Sequence, residues 1–110
     1  MKGTHLGEFE EIVLLTVGIL YEDAYGLAIT DEIEQRTGRN ITISSVHKAL
    51  NRLESKGFLT SRMGGATEER GGRQKRLFSI TAYGKKALND ARDLRNNMYE
   101  AIPKVIWQIG

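Results

Sequence analysis

Ser44, Ser45, His47, Lys48, Asn51 and Arg52 lie close together in the chain. On a helix, at 100° per residue, Ser44, Lys48, Asn51 and Ser55 share one face, bordered by His47 and Arg52. The same helix would place Val46, Ala49, Leu50 and Leu53 at i, i+3, i+4 and i+7 on its inner side. Hydroxyls, an imidazole, an amide and two cations, with no acid at the centre, form a surface that can donate to and accept from base edges. Asn, Lys and Arg are the side chains that do this in the major groove. Arg73, Lys75 and Arg76 form a second basic group after Gly71-Gly72, where the absence of side chains lets backbone come close to a polyanion.

Other chemistries find less support. The chain has no Cys, so it can form no disulfide framework, thiolate zinc site or thiol nucleophile. His47 beside Lys48 reads as a hydrogen-bonding surface residue rather than a metal ligand, since the other His, His5, sits at the N-terminus; no metal or cofactor is expected. The glycine-rich tract lacks the Gly-x-x-x-x-Gly-Lys-Ser/Thr pattern, and Gly84-Lys85 lacks both the earlier glycine and the hydroxyl. No Ser-His-Asp order, carboxylate pair or His-Glu-x-x-His can be placed, so no enzyme is expected.

The 110 residues carry 16 Lys plus Arg against 14 Asp plus Glu, and the small net charge hides a segregation. Residues 1–34 hold one Lys and eight acids, residues 35–76 ten cations and three acids, and residues 77–110 five and three. A basic middle third points to one face aimed at a polyanion, although solvated surface charge gives the same count.

These residues need a scaffold, and a chain of this length builds one domain with a modest core, helped by a partner subunit. Phe9, Ile12, Val13, Val17 and Leu20 follow helical spacing, widened by Leu14, Leu15 and Ile19, so the first helix would touch either a second subunit or more of its own core. A second helix runs from Gly26 to Thr37, with Leu27, Ile29 and Ile33 inward and Gly38 as its stop. Ile41-Thr42-Ile43 reads as one small strand, and Ser44 as the N-cap of the third helix. Two short strands around a Gly-rich connection follow, as a hairpin. Thr81 caps a last helix whose Ala87, Ala91, Leu94, Met98, Ala101 and Val105 alternate steps of four and three, with Pro103 as a break.

The longest apolar run, Ile12 to Leu20, is interrupted by Thr16 and Gly18 and falls short of the about 20 residues a membrane span needs. Acids stand where a signal peptide needs bases, so a cytoplasmic protein without membrane contact is expected.

The order helix, helix, short strand, helix, hairpin predicts a mainly α fold with a small β-hairpin (α+β): a winged helix-turn-helix over residues 1–81 and a dimerisation helix over 82–110. The recognition helix would occupy about 44–57 and the wing about 59–80. A winged helix that meets an acidic protein partner, without sequence-specific DNA binding, remains the alternative; an apolar recognition face would favour it.

Three segments carry a resemblance to the PadR-like transcriptional regulators: Ala24-Tyr25-Gly26-Leu27-Ala28-Ile29, the stretch from Ile43 to Leu59, and Gly71-Gly72-Arg73 through Tyr83-Gly84. The resemblance implies a homodimeric repressor of double-stranded DNA, with the last helix, and often the first, as dimer interface. It also implies a response to a small aromatic effector or other signal. Carried over by position, the DNA-binding residues are Tyr25, Ser44, Ser45, His47, Lys48, Asn51, Arg52, Arg73 and Lys75. The dimer residues are Ala87, Ala91, Leu94, Met98, Ala101 and Trp107, the last packing on Ile102 or Ile106 or lining an aromatic pocket. The chain departs from the family at His47-Lys48, where Tyr-Pro is frequent, so a base preference does not carry over.

Overall fold

The computed structural model describes residues 5–64 and 74–109. Its elements are α1 (Glu8–Leu20), a single 3-10 turn (Tyr21–Asp23), α2 (Gly26–Thr37), α3 (Ile43–Ser55), β1 (Leu59–Gly64), β2 (Lys75–Ile80), α4 (Ala82–Ala101) and α5 (Lys104–Gln108). This is a mainly helical winged helix-turn-helix with one antiparallel hairpin, paired from Leu59 opposite Ile80 to Gly64 opposite Lys75.

The local chemistry explains most boundaries. Glu8, Glu10 and Glu11 crowd the first turn of α1, where they complement the exposed N–H groups and the positive end of the dipole. Gly38, at φ 69°, closes α2 as the sequence predicts, with its N–H on the Glu34 carbonyl. The start of α3 differs from the sequence reading in two ways. Ile41 and Thr42 form no strand, and Ile43 is already the first helical residue. The cap is Thr42, not Ser44: its Oγ1 accepts from the Ser45 N–H at 3.1 Å, while the Ser45 hydroxyl donates to the Thr42 carbonyl at 2.7 Å. A β-branched triplet has no strand to pair with here, and Thr42 in extended backbone satisfies donors that the helix leaves orphaned.

Val13, Leu14 and Val17 of α1, Ile29 and Ile33 of α2, and Val46, Leu50 and Leu53 of α3 meet in one core, closed from below by Phe58 and Phe78 at the root of the hairpin. Leu27 does not join them: it lies at the exposed start of α2. The Phe78 N–H donates to the Ala24 carbonyl at 2.8 Å, tying β2 to the corner before α2.

The fully buried residues of α4 lie at its beginning, and farther along Arg95 pairs with Glu11 of α1. Thr81 caps it through the Gly84 N–H at 3.0 Å and donates its hydroxyl to the Gly57 carbonyl at 2.6 Å. Gly84 and Ala87 are buried and Ala91 is half-buried, but every residue from Arg92 to Ala101 is exposed. Ala87, expected on the dimer seam, therefore belongs to the core of its own chain. Pro103 separates α4 from α5, so residues 82–110 hold two helices rather than one. Among the described residues no helix is long and apolar enough to cross a membrane.

Candidate nucleic-acid interface

The exposed face of α3 carries Ser44, His47, Lys48, Asn51 and Arg52, with Val46, Ala49, Leu50 and Leu53 buried behind them. Ser45 is half-buried and committed to the cap, so it contributes to the shape of the helix start rather than to its free polar surface. Ile43, placed in a strand by its β-branched neighbours, stands instead on the first turn with 43% of its surface exposed. It sits four residues before His47 and therefore in the same column. The Thr42 cap was the signal that would have moved it onto the helix.

Three elements converge beside this face. Tyr25 ends the turn before α2 in extended backbone, and Gly26 starts the helix. A Cβ on Gly26 would fall 2.7 Å from Cε1 of His47, so glycine leaves room for the imidazole ring, which a larger residue would push aside. From the wing, the Lys75 ammonium lies 3.7 Å from the centroid of the Tyr25 ring, a cation–π contact that holds the start of β2, at the far end of the hairpin from Ile80, beside the residue that precedes α2. A shallow cavity of about 330 Å³ between them is lined by Tyr25, Gly26, Leu27, His47, Gln74, Lys75 and Arg76. Tyr25, His47 and Lys75, far apart in sequence, are thus brought together. Arg73, with Gly71 and Gly72, lies outside the described residues.

Three cations of this region are already paired. Arg76 bonds to Glu54 of α3, whose other oxygen accepts from the Ser61 hydroxyl at 2.8 Å; Arg76 Nε in turn donates to that hydroxyl at 3.0 Å. This strut fixes β2 to α3. Arg52 Nε donates to Glu10 of α1 at 3.2 Å, and Lys56 Nζ donates to the same carboxylate at 2.9 Å. Burial pushes the Glu10 carboxyl up. Hydrogen bonds from Lys56, the Gly7 N–H and Arg52 outweigh that and hold it below the ordinary glutamate value.

On the opposite side, Leu94 and Met98 of α4 are 61% and 65% exposed, with Ala101 exposed beside them. Trp107 stacks on Tyr99, with ring centroids 5.1 Å apart.

A family model described as the Transcriptional regulator PadR-like family matches residues 14–90. A PadR family transcription regulator from hypervirulent Clostridium difficile R20291 is 25% identical, with a TM-score of 0.66 over 86% of this chain and 97% of that one. A PadR family transcriptional regulator from Eggerthella lenta DSM 2243 is 23% identical, with a TM-score of 0.67 over 90% and 86%. The Aeropyrum pernix ORC1 protein, solved in complex with DNA, shares the fold at 20% identity and a TM-score of 0.63, over 84% of this chain and 26% of its own. No curated protein matches the chain in sequence.

Proposed function

This chain belongs to the PadR-like family of transcriptional regulators, and on that premise we propose that it is a homodimeric, sequence-specific repressor working in the cytoplasm. One recognition helix would enter the major groove of each half-site of a pseudo-palindromic operator, about 34–36 Å apart along the duplex. Repression is then steric, by occupancy of a promoter. The residues divide into two domains by role, 1–81 for DNA and 82–110 for dimerisation.

The observation that carries the reading is the outer face of α3, where Ser44, His47, Lys48 and Asn51 stand exposed and no acid lies between them. Asn51 and Lys48 suit base edges, and Ile43 suits the C5-methyl of a thymine. Tyr25, His47 and Lys75 surround a cavity where a backbone phosphate fits against the N-terminus of α2, with Arg73 extending the wing and Arg52 at the border. A single apolar side chain on this face speaks against the protein-partner alternative, which would need an apolar patch.

Dimerisation rests on α4. An isolated helical end of some ten residues is marginal in water without packing, yet every side chain in the second half of α4 is exposed, with only Arg95 paired to Glu11 of α1. A second copy covering Ala91, Leu94, Met98 and Ala101 supplies the packing, with Trp107 at the edge. The stacked Tyr99 and Trp107 rings would give that seam an aromatic wall for a small aromatic effector. Fluorescence anisotropy on DNA from upstream of its own gene against scrambled duplex, across a salt series, tests the assignment. Tight, selective and salt-dependent binding is the expected result; no binding even at low salt overturns it.

A further inference from the structure

We infer that Glu10 is a positioning residue for DNA recognition: a buried carboxylate on α1 that holds Arg52 and Lys56 of the recognition-helix segment and subtracts its charge from theirs. The inference rests on the DNA-binding reading and asks what sets the ratio of specific to non-specific binding.

Glu10 is 6% exposed and is the one charged side chain in the buried set of the described residues. Its Oε1 accepts from the Gly7 N–H at 3.0 Å and from Lys56 at 2.9 Å, and its Oε2 from Lys56 at 3.1 Å and Arg52 at 3.2 Å. A carboxylate this buried is costly unless every lone pair is met. Glu10 therefore imposes a fixed geometry on its donors. Arg52 responds with Nε only; its terminal nitrogens bond to nothing among the described residues. The guanidinium is thus held from behind with its fork free. Arg52 and Lys56 remain 53% and 39% exposed at their side chains, so a phosphate sees their combined charge less that of Glu10. Lys48, by contrast, has no ion-pair partner among the described residues.

Non-specific DNA binding is almost wholly electrostatic, whereas base contacts add to specific binding alone. An internal anion that cancels one cation lowers the first in full, and specific binding only to the extent that Arg52 and Lys56 still meet phosphate once the base contacts are made. Glu10 thereby raises discrimination by reducing general affinity.

The experiment uses the full chain and two duplexes, a scrambled one and a half-site pair selected from a random pool. Glu10→Gln should bind the scrambled duplex roughly fivefold tighter at about 0.1 M salt, with a salt slope steeper by about 0.9. The selected duplex should gain less, so that the ratio falls. Adding Arg52→Ala should cancel the gain. Equal weakening on both duplexes with an unchanged slope would mean that Glu10 only packs, and equal tightening would mean that it has no part in discrimination; either result overturns the inference. Should Glu10→Gln fail to fold by circular dichroism, Arg52→Ala alone decides. A slope reduction clearly smaller than that of Lys48→Ala supports partial neutralisation, and an equal reduction overturns it. Failure of the native chain to bind any duplex at low salt would overturn the DNA-binding reading and this inference with it.

Discussion

At the level of single side chains, the interface divides into groups that inform and groups that hold. Asn51 stands exposed on α3, and an amide facing adenine carries sequence information that a lysine near phosphate does not. Asn51→Ala should therefore reduce discrimination at one base position by about 1–3 kcal/mol. Lys75→Ala should weaken all duplexes alike and flatten the salt slope by about one unit. Anisotropy on matched and mismatched duplexes separates the two, and equal effects from both substitutions would refute the division. Ile43 puts an exposed apolar side chain on the first turn. If it touches a thymine methyl, replacing that thymine by deoxyuridine should cost about 0.8 kcal/mol, roughly fourfold in affinity. The replacement should cost nothing further in Ile43→Ala, a coupling that a double-mutant cycle reads directly. Glu10 adds a pH dependence. Its folded pKa lies below the ordinary value of 4.5, so its stabilising contribution is complete above that value and is lost as pH falls through the lower, folded pKa. Urea midpoints at neutral pH and below about pH 4 should differ more for the native chain than for Glu10→Gln.

At the level of elements, the joint between the hairpin and α4 is a close one. A Cβ added to Gly84 would lie 2.2 Å from the Phe58 carbonyl oxygen, a backbone atom that cannot swing away. Beside it Tyr83 packs on Phe58, with ring centroids 5.0 Å apart. Gly84→Ala should thus destabilise the protein by about 1–3 kcal/mol, visible in the urea midpoint. An unchanged midpoint would show that α4 docks more loosely than this geometry requires. The same elements show what the sequence could and could not reveal. Periodicity was enough for α1, α2 and α3, since each buries one apolar stripe, and Gly38 marked its boundary because the backbone there turns left-handed. It was not enough at Ile41-Thr42-Ile43, where β-branching suggested a strand but only a neighbouring strand could have made one, and the Thr42 cap prevailed. Nor could it place Ala87: steps of three and four record a face that must be covered, not whether the cover comes from the same chain or another. The pairings of Arg52 and Lys56 with Glu10, and of Arg76 with Glu54, were invisible for a similar reason, being made between residues separated by up to 46 positions.

At the level of the molecule, the acidic first block does more than segregate charge along the chain. Glu8 pairs with Arg39, Glu10 with Arg52 and Lys56, and Glu11 with Arg95 of α4 at 2.9 Å, so α1 clamps the basic segment on one flank and the start of the free helix on the other. From that clamp α4 runs out to give the molecule extents of 59 × 35 × 20 Å. A body this elongated and this apolar at its far end fits the proposed dimer, in which a second copy covers that end. Two α4 helices packed together would also fix the separation of two recognition helices, which is the quantity a pseudo-palindrome measures. Leu94→Glu puts charge into the centre of that seam and should give monomers by light scattering, with α4 partly melted in circular dichroism. Its affinity for a two-half-site duplex should fall to near that for a single half-site. Trp107 is the only tryptophan of the chain and 56% exposed in the single protomer, so its emission reports on the same event. On dilution of the native protein the spectrum should shift to the red as the dimer parts, whereas Leu94→Glu should show the red-shifted spectrum at all concentrations. An unchanged dimer in Leu94→Glu would place the interface elsewhere, with Leu15 and Ile19 of α1 among the exposed apolar residues that could carry it.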